Sequence, residues 1–252
     1  MSETLINYTL HLADNSLILS QRNSEWCGHG PVLEQDIAIT NISLDLIGQS
    51  RSFYQYAAQQ INQLTDPPAK EVSEDSLAYL RTEREFKNCL LVEQPRGDWA
   101  QTVLRQFLFS CYQYYLYQYL QNNTDTTLAA IAEKSVKEVS YHLRWSSEWV
   151  IRLGDGTQES SRRMKNAVNE LWRYTGELFM PAPYEKEQGI DLASLKYDWS
   201  KKIKEVFDEA GLQVPEKVFM QTGGKTGVHT EHLGFILTEL QYIQRTYPGA
   251  TW

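Results

Sequence analysis

Apolar residues recur at three- and four-residue spacing along most of the chain, and the periodic runs are separated by glycine and proline, which is the pattern of a helical protein. Residues 3–26 carry Leu5, Tyr8, Leu12, Leu17 and Leu19 on one broad side, predicting a first helix stopped by Cys27-Gly28-His29-Gly30. Pro31 suits the first position of a second helix, on which Leu33, Ile37, Leu44 and Ile47 share a face that Ile39, Ile42 and Leu46 widen. A helix apolar that far round is expected at the centre of the fold. Residues 63–97, interrupted by Pro67-Pro68 and Pro95-Arg96-Gly97, predict a long connection with a helical piece spanning Glu74 to Leu91.

Asp98 and Gln101 have the spacing of a capping box and open a third helix, deeply buried, with Leu104, Phe107, Leu108, Cys111, Tyr115 and Tyr119 at helical spacing. A fourth helix runs from Thr127 to the Gly154-Asp155-Gly156 stop, with one stripe of Leu128, Ala132, Val136, Val139 and Leu143. Beside it lies a mixed stripe of Ile131, Ser135, Glu138, His142, Trp145 and Trp149. A fifth helix starts at Thr157 or Ser160, a sixth is capped by Asp191 and closed by Gly211, and the second half of the tail predicts a last one. Long antiparallel helices with short turns predict an all-α four-helix bundle, core 3–153, with accessory helices over 157–252, in one domain spanning 1–252.

A formal net charge of −8 and the lack of a Lys/Arg run argue against a nucleic-acid binder. The cysteines, Cys27, Cys89 and Cys111, are scattered and predict reduced thiols rather than a metal or redox pair. No apolar stretch is long enough to cross a bilayer and the N-terminus does not read as an export signal, so a cytoplasmic protein is expected. Fifteen Tyr and seven Trp supply large rings suited to cores and interfaces.

The chemistry such bundles commonly carry is missing. A dimetal-carboxylate bundle needs a Glu from each of two helices and a Glu-x-x-His from each of the others, because positions i and i+3 aim both groups at the ions. The residues three positions before the five histidines are Tyr8, Trp26, Val139, Thr226 and His229, and no Asp or Glu occurs from Trp99 to Asn123. No metal is therefore expected in this chain, and Asp45, Glu138 and His142 mark the region where one would have sat. Glu138 and His142, four apart, read as a hydrogen-bonded pair. Asp14, Glu25, Asp36 and Asp45 are helical acids with Arg22, Arg51 or Lys137 as expected partners.

His229-Thr230-Glu231-His232 reads as a helix start or interface rather than a zinc site. Gly223-Gly224-Lys225 could turn backbone amides toward an anion but lacks the full phosphate-loop pattern. No G-x-S-x-G elbow announces a nucleophile, and the tyrosines 112, 114, 115, 117 and 119 circle their helix as core and interface residues.

The blocks LILSQRNSEWCGHGP, NISLDLIGQSR, LLVEQPRGDWA, KEVSYHLRW, ELWRYTGELF and TGGKTGVHTEHLG, in this order, resemble the C-subunit family of phenylacetyl-CoA epoxidases, over Tyr8 to Trp252. The resemblance implies a ferritin-like fold with a degenerate dimetal site and a non-catalytic role. It implies a protein that binds and stabilises a di-iron catalytic A-subunit, alongside a small B-subunit and a reductase carrying flavin and iron-sulfur. The complex so implied puts one oxygen atom of O2 into the ring of phenylacetyl-CoA during aerobic phenylacetate breakdown. No catalysis is expected of the isolated chain.

The resemblance also implies that Glu85, Phe86, Lys87 and Asn88 face substrate, and the basic and aromatic groups of residues 81–88 would suit the phosphates and adenine of coenzyme A. Tyr184, Glu185 and Lys186 form a second, weaker candidate stretch. Two other readings are a stand-alone helical bundle that pairs with itself and ignores oxygenase partners, and an independent hydrolase or isomerase.

Overall fold

The computed structural model describes residues 3–250, and all regular structure among them is helical. In chain order the helices are α1 (Glu3–Ser24), α2 (Leu33–Asn62), α3 (Glu74–Tyr79), α4 (Leu90–Glu93), α5 (Trp99–Leu120), α6 (Thr126–Gly154), α7 (Gln158–Leu171), α8 (Pro183–Glu187), α9 (Leu192–Glu209) and α10 (Glu231–Thr246). The long helices α1, α2, α5 and α6 form a ferritin-like bundle in which α1 packs along α2, α5 along α6, and α2 against α6. α7 and α9 lie on α5 and α6, while α10 closes over α3 and α4. No described helix is long and apolar enough to cross a membrane.

The capping chemistry follows the local sequence. Asp98 accepts from the Gln101 amide and the Gln101 side chain accepts from the Asp98 amide, both at 3.0 Å, which satisfies two of the donors a helix start leaves open. Asp191 accepts from the Ser194 amide in the same way, and Gly211, at φ +64°, follows α9. At one end of the bundle Trp99 meets Trp26, Trp145 and Trp149 edge-on, tying α5 to α6 and to the chain that follows α1.

Two features depart from the periodicity. The enclosed helix is α1, on which every residue from Tyr8 to Ser20 is buried. α2 instead lies at the surface: Ile39, Ile42 and Leu46 are fully buried, but Leu33, Ile37, Leu44 and Ile47 are 72%, 52%, 60% and 40% exposed. A 3.6-residue repeat identifies an apolar face without saying what covers it. α2 also begins two residues later than Pro31, after a loop in which the amides of Gly28 and Gly30 both donate to the Asp36 carboxylate.

The connection between α2 and α5 is the second departure. It is not helical from Glu74 to Leu91 but breaks into α3, a 3-10 turn at Glu83–Glu85, an extended stretch and α4. The extended stretch lies along α1, whose side chains replace the missing helical bonds. Asp14 accepts from the Lys87 amide at 2.8 Å, Asn15 accepts from the Cys89 amide at 2.8 Å, and the His11 ring donates to the Lys87 carbonyl at 2.7 Å.

Candidate functional site

Two polar regions lie inside the molecule, one within the four-helix bundle and one outside α1. Within the bundle a chain of hydrogen bonds crosses all four helices. The Gln113 amide of α5 donates to Ser16 of α1 at 3.4 Å and to the Tyr117 hydroxyl at 3.2 Å. Tyr117 donates to Gln49 of α2 at 3.4 Å, and Gln49 donates to Glu138 of α6 at 2.9 Å. Nearer the other end, Asn23 donates to Gln106 at 2.6 Å, and Gln106 to Ser110 at 2.7 Å. The His142 ring, fully buried, meets the part-exposed Asp45 carboxylate at 3.0 Å.

These donors do not fit a pair of metal ions. Hard cations of high charge need several carboxylates converging from different helices. Here α1 and α5 contribute hydroxyls and amides, Glu138 is taken by an amide, and Asp45 faces His142 across the α2–α6 seam. Among the described residues no group of three or more His, Cys, Asp or Glu is arranged to hold a metal. Asp45, Glu138 and His142 therefore come close on one seam as two separate pairs, Asp45 with His142 and Glu138 with Gln49, rather than Glu138 with His142.

Outside α1 the chemistry is reversed. Asp14, Glu93, Glu177 and Glu185 are all buried, and each is held by a cation, by backbone amides, or by both. Asp14 pairs with both terminal nitrogens of Arg81 and also accepts from Tyr54. Burial opposes the charge on Arg81, but Asp14 outweighs it and holds the guanidinium protonated. Glu185 meets Lys225 at 2.9 Å, and that ammonium also donates to the carbonyls of Leu178 and Met180 at 3.1 Å.

Glu177 accepts from the amides of Leu90 at 2.7 Å, Gly223 at 2.8 Å and Lys225 at 3.4 Å, although burial still raises its pKa. The Gly223-Gly224-Lys225 turn thus does present amides to an anion, and that anion is the chain's own Glu177. A Cβ on Gly224 would sit 2.3 Å from the Asn88 carbonyl, so only glycine brings the turn this close.

The two histidines of this region are pushed in opposite directions. His229 has Glu93 at 2.8 Å from Nδ1 and the Phe86 carbonyl at 3.0 Å from Nε2, so both nitrogens face acceptors, a setting that favours the protonated ring. Burial works against that charge, but the Glu93 hydrogen bond and charge prevail and raise the pKa. His11 donates through Nδ1 to Lys87, and burial pulls its pKa down to about 4, leaving the ring neutral. His229 and Thr230 thus serve as a fastening onto Glu93, whose other oxygen accepts from the Thr230 amide and hydroxyl at 2.7 Å.

The stretches Glu85–Asn88 and Tyr184–Lys186, distant in sequence, are brought together over α1. The His11 and Tyr184 rings are 5.6 Å apart and the Lys87 ammonium lies 5.9 Å from the Tyr184 ring. Their side chains divide. Phe86 is buried beneath the Arg81 guanidinium at 4.2 Å, Asn88 donates to Glu93 at 2.8 Å, and the Tyr184 hydroxyl donates to the Lys225 carbonyl at 3.0 Å. With Glu185 paired to Lys225, these four look inward, while Glu85 and Lys186 are exposed and Lys87 is half-buried. Glu85 caps its own turn by accepting from Thr82.

Glu93 and Glu177 organise this region without having stood out in the sequence. Arg81 and Lys225 lie in stretches that read as facing an outside anion, and they pair instead with the chain's own acids. Asp14 finds Arg81 sixty-seven positions away, not Arg22, Arg51 or Lys137. The one available signal was the glycine pair before Lys225, which marks amides left open for a partner. Of the other expected pairings, Arg22 does meet Glu25 at 2.6 Å.

The phenylacetic acid catabolic protein family matches residues 1–252 of this chain. The chain is 47% identical over 253 residues to the C-subunit of the 1,2-phenylacetyl-CoA epoxidase of Escherichia coli (strain K12), covering 98% of this chain and 99% of that relative. With a helical bundle whose interior is bridged by amides and hydroxyls, and with similarity along its whole length, this chain belongs to the phenylacetic acid catabolic protein family.

Proposed function

We propose that this chain is the non-catalytic subunit of a phenylacetyl-CoA 1,2-epoxidase, binding and stabilising a di-iron catalytic subunit in the cytoplasm. The small subunit and the flavin and iron-sulfur reductase complete the system, and this chain holds no iron of its own. The observation that carries the reading is the chain of hydrogen bonds from Ser16 through Gln113, Tyr117 and Gln49 to the lone carboxylate of Glu138, in a protein 47% identical to the C-subunit of an epoxidase. Amides and hydroxyls bridging the helices make the bundle a fixed support, because they hold its interior without a metal. Contact with the coenzyme A thioester, within this reading, falls on Lys87 and Lys186, whose ammonium groups are not locked in buried ion pairs.

Co-purification with the catalytic subunit, followed by metal analysis of the separated chains, tests the proposal. Iron should follow the catalytic subunit, which should lose solubility and activity when isolated. Two irons in the isolated chain, or a catalytic subunit equally active by itself, would refute it. Lys87→Ala and Lys186→Ala should raise the apparent KM for the thioester, and an unchanged KM would remove the contact.

A further inference from the structure

Lys87 is the one side chain of residues 86–88 that reaches solvent, because Phe86 and Asn88 on either side of it are buried. Its backbone is fixed from below. The enclosed helix α1 holds the amide through Asp14 at 2.8 Å and the carbonyl through His11 at 2.7 Å. The side chain rising from that base is half-buried, and its ammonium group lies 5.9 Å from the buried Tyr184 ring.

What sets this lysine apart is the lack of a counterion. Lys202, Lys204 and Lys225 each meet a carboxylate, at 2.6, 2.6 and 2.9 Å, whereas Lys87 forms no such pair among the described residues. The Asp14 carboxylate that holds its amide has both oxygens engaged already, by Arg81, Tyr54 and that same amide. Partial burial lowers the pKa of Lys87; the charges of Asp14 and Glu3 oppose the shift and that of Arg81 reinforces it. The other groups facing it, His11 and Tyr184, are uncharged at neutral pH. Desolvation beside a second cation keeps a larger share of an amine unprotonated, and the unprotonated amine is the nucleophile.

We propose that Lys87 is an acyl-acceptor site that takes the acyl group of a coenzyme A thioester. The inference rests on the subunit reading above for its acyl donor. The amine attacks the thioester carbonyl, a C–N bond forms as the C–S bond breaks, and the amine's proton leaves on the coenzyme A thiol. The products are an amide on Nζ and free coenzyme A, with no oxidant or reductant consumed. Acylation removes the positive charge of the side chain. Lys87 is one of the two ammonium groups assigned above to thioester contact, so a surplus of thioester weakens its own capture.

The test is peptide mass spectrometry of the isolated full-length chain after incubation with phenylacetyl-CoA, and separately with acetyl-CoA, over a range of pH. Lys186, exposed and also without an ion pair among the described residues, is the internal reference. Near neutral pH Lys87 should be acylated about threefold faster than Lys186 or more, since a gain in free amine is partly offset by weaker basicity. Its rate should also level off at a lower pH than that of Lys186. Lys87→Arg should lose the label at this position while the other lysines keep their rates.

Acylation of Lys87 no faster than that of Lys186 overturns the proposal. So does preferential labelling by a small anhydride that neither thioester reproduces, which identifies a reactive amine with a different donor. If Lys87 is acylated as expected but the acylated chain, assembled with the catalytic subunit, keeps the unmodified KM for the thioester, the acceptor site is upheld and only its effect on capture is struck out. Failure of the chain to associate with the catalytic subunit refutes the subunit reading instead, and the rate comparison on the isolated chain still decides the acceptor site.

Discussion

The bundle interior and the seam outside α1 are both buried and both polar, yet one excludes formal charge almost entirely and the other is built from it. Backbone availability accounts for the difference. Within regular helices the amides are already bonded, so a buried carboxylate there has to find every partner among side chains. The seam is bordered by irregular segments whose amides are free. Asp14 takes Lys87's, Glu93 takes Thr230's, Glu177 takes those of Leu90 and Gly223, and Glu185 takes Ala182's at 2.8 Å.

Arg105 shows the same rule with the sign reversed. It is a fully buried cation on α5 whose guanidinium donates to the carbonyls of Gln94 and Pro95, at 2.8 and 2.7 Å, where the connection turns into the helix. Burial, and then the nearby charge of Arg22, bring its pKa down to about 9.

If charge in the seam is structural, removing one partner should be far more damaging there than in the bundle. Asp14→Ala strands Arg81 in a buried site and should destabilise the fold by about 3–5 kcal/mol, read from denaturant midpoints. A loss no greater than that of an ordinary surface change would break the comparison. Lys225→Met should have a similar but smaller effect, since Glu185 keeps its Ala182 amide. Lys225→Met combined with Glu185→Leu should recover part of the loss, with a coupling of about 1–3 kcal/mol in a double-mutant cycle.

The two histidines give opposite pH signatures. The pKa of His229 lies above its ordinary value of 6.5 in the folded chain, so its contribution is complete below that value and is lost as pH rises through the folded pKa. His11 is pulled from 6.5 to about 4, so its neutral ring contributes above 6.5 and that contribution is lost as pH falls toward 4. Stability measured across pH should therefore decline on the alkaline side less steeply in His229→Gln, and on the acid side less steeply in His11→Gln. Variants with the wild-type slope in both windows would show that neither ring is coupled to folding.

The smallest effect is expected in the bundle. Gln113→Leu removes two long hydrogen bonds and a side-chain oxygen that has no partner, and fills the space with apolar atoms. Its stability should stay within about 1 kcal/mol of wild type. A drop of the size expected for Asp14→Ala would mean that the bundle's amides and hydroxyls matter as much as the charged seam.

Much of the helical order is local and so is legible in the sequence. Capping at Asp98 and Asp191, the glycine stops and the paired faces of α5 and α6 all rest on residues a few positions apart. The absence of Glu-x-x-His can also be read directly, because that motif is local by nature. The seam cannot be read in the same way. Asp14 and Arg81, Glu93 and His229, and Glu185 and Lys225 meet only after the chain has folded back. Local spacing favours continuous helix from Glu74 to Leu91, and what defeats it is the capture of the Lys87 and Cys89 backbone by Asp14 and Asn15. The outward turn of Leu33, Ile37 and Leu44 is hidden for a different reason: α2 has two apolar sides, and periodicity does not rank them.

The enclosure of α1 bears on how the chain is made. This helix precedes in the chain all the groups that quiet its polar side: Arg81 and Lys87, then Glu185 beside His11, and later still Lys225. During translation, α1 therefore waits for its final surroundings until about two hundred further residues have been made. Removing Lys225 and the residues after it would thus disturb the setting of a helix about two hundred positions earlier.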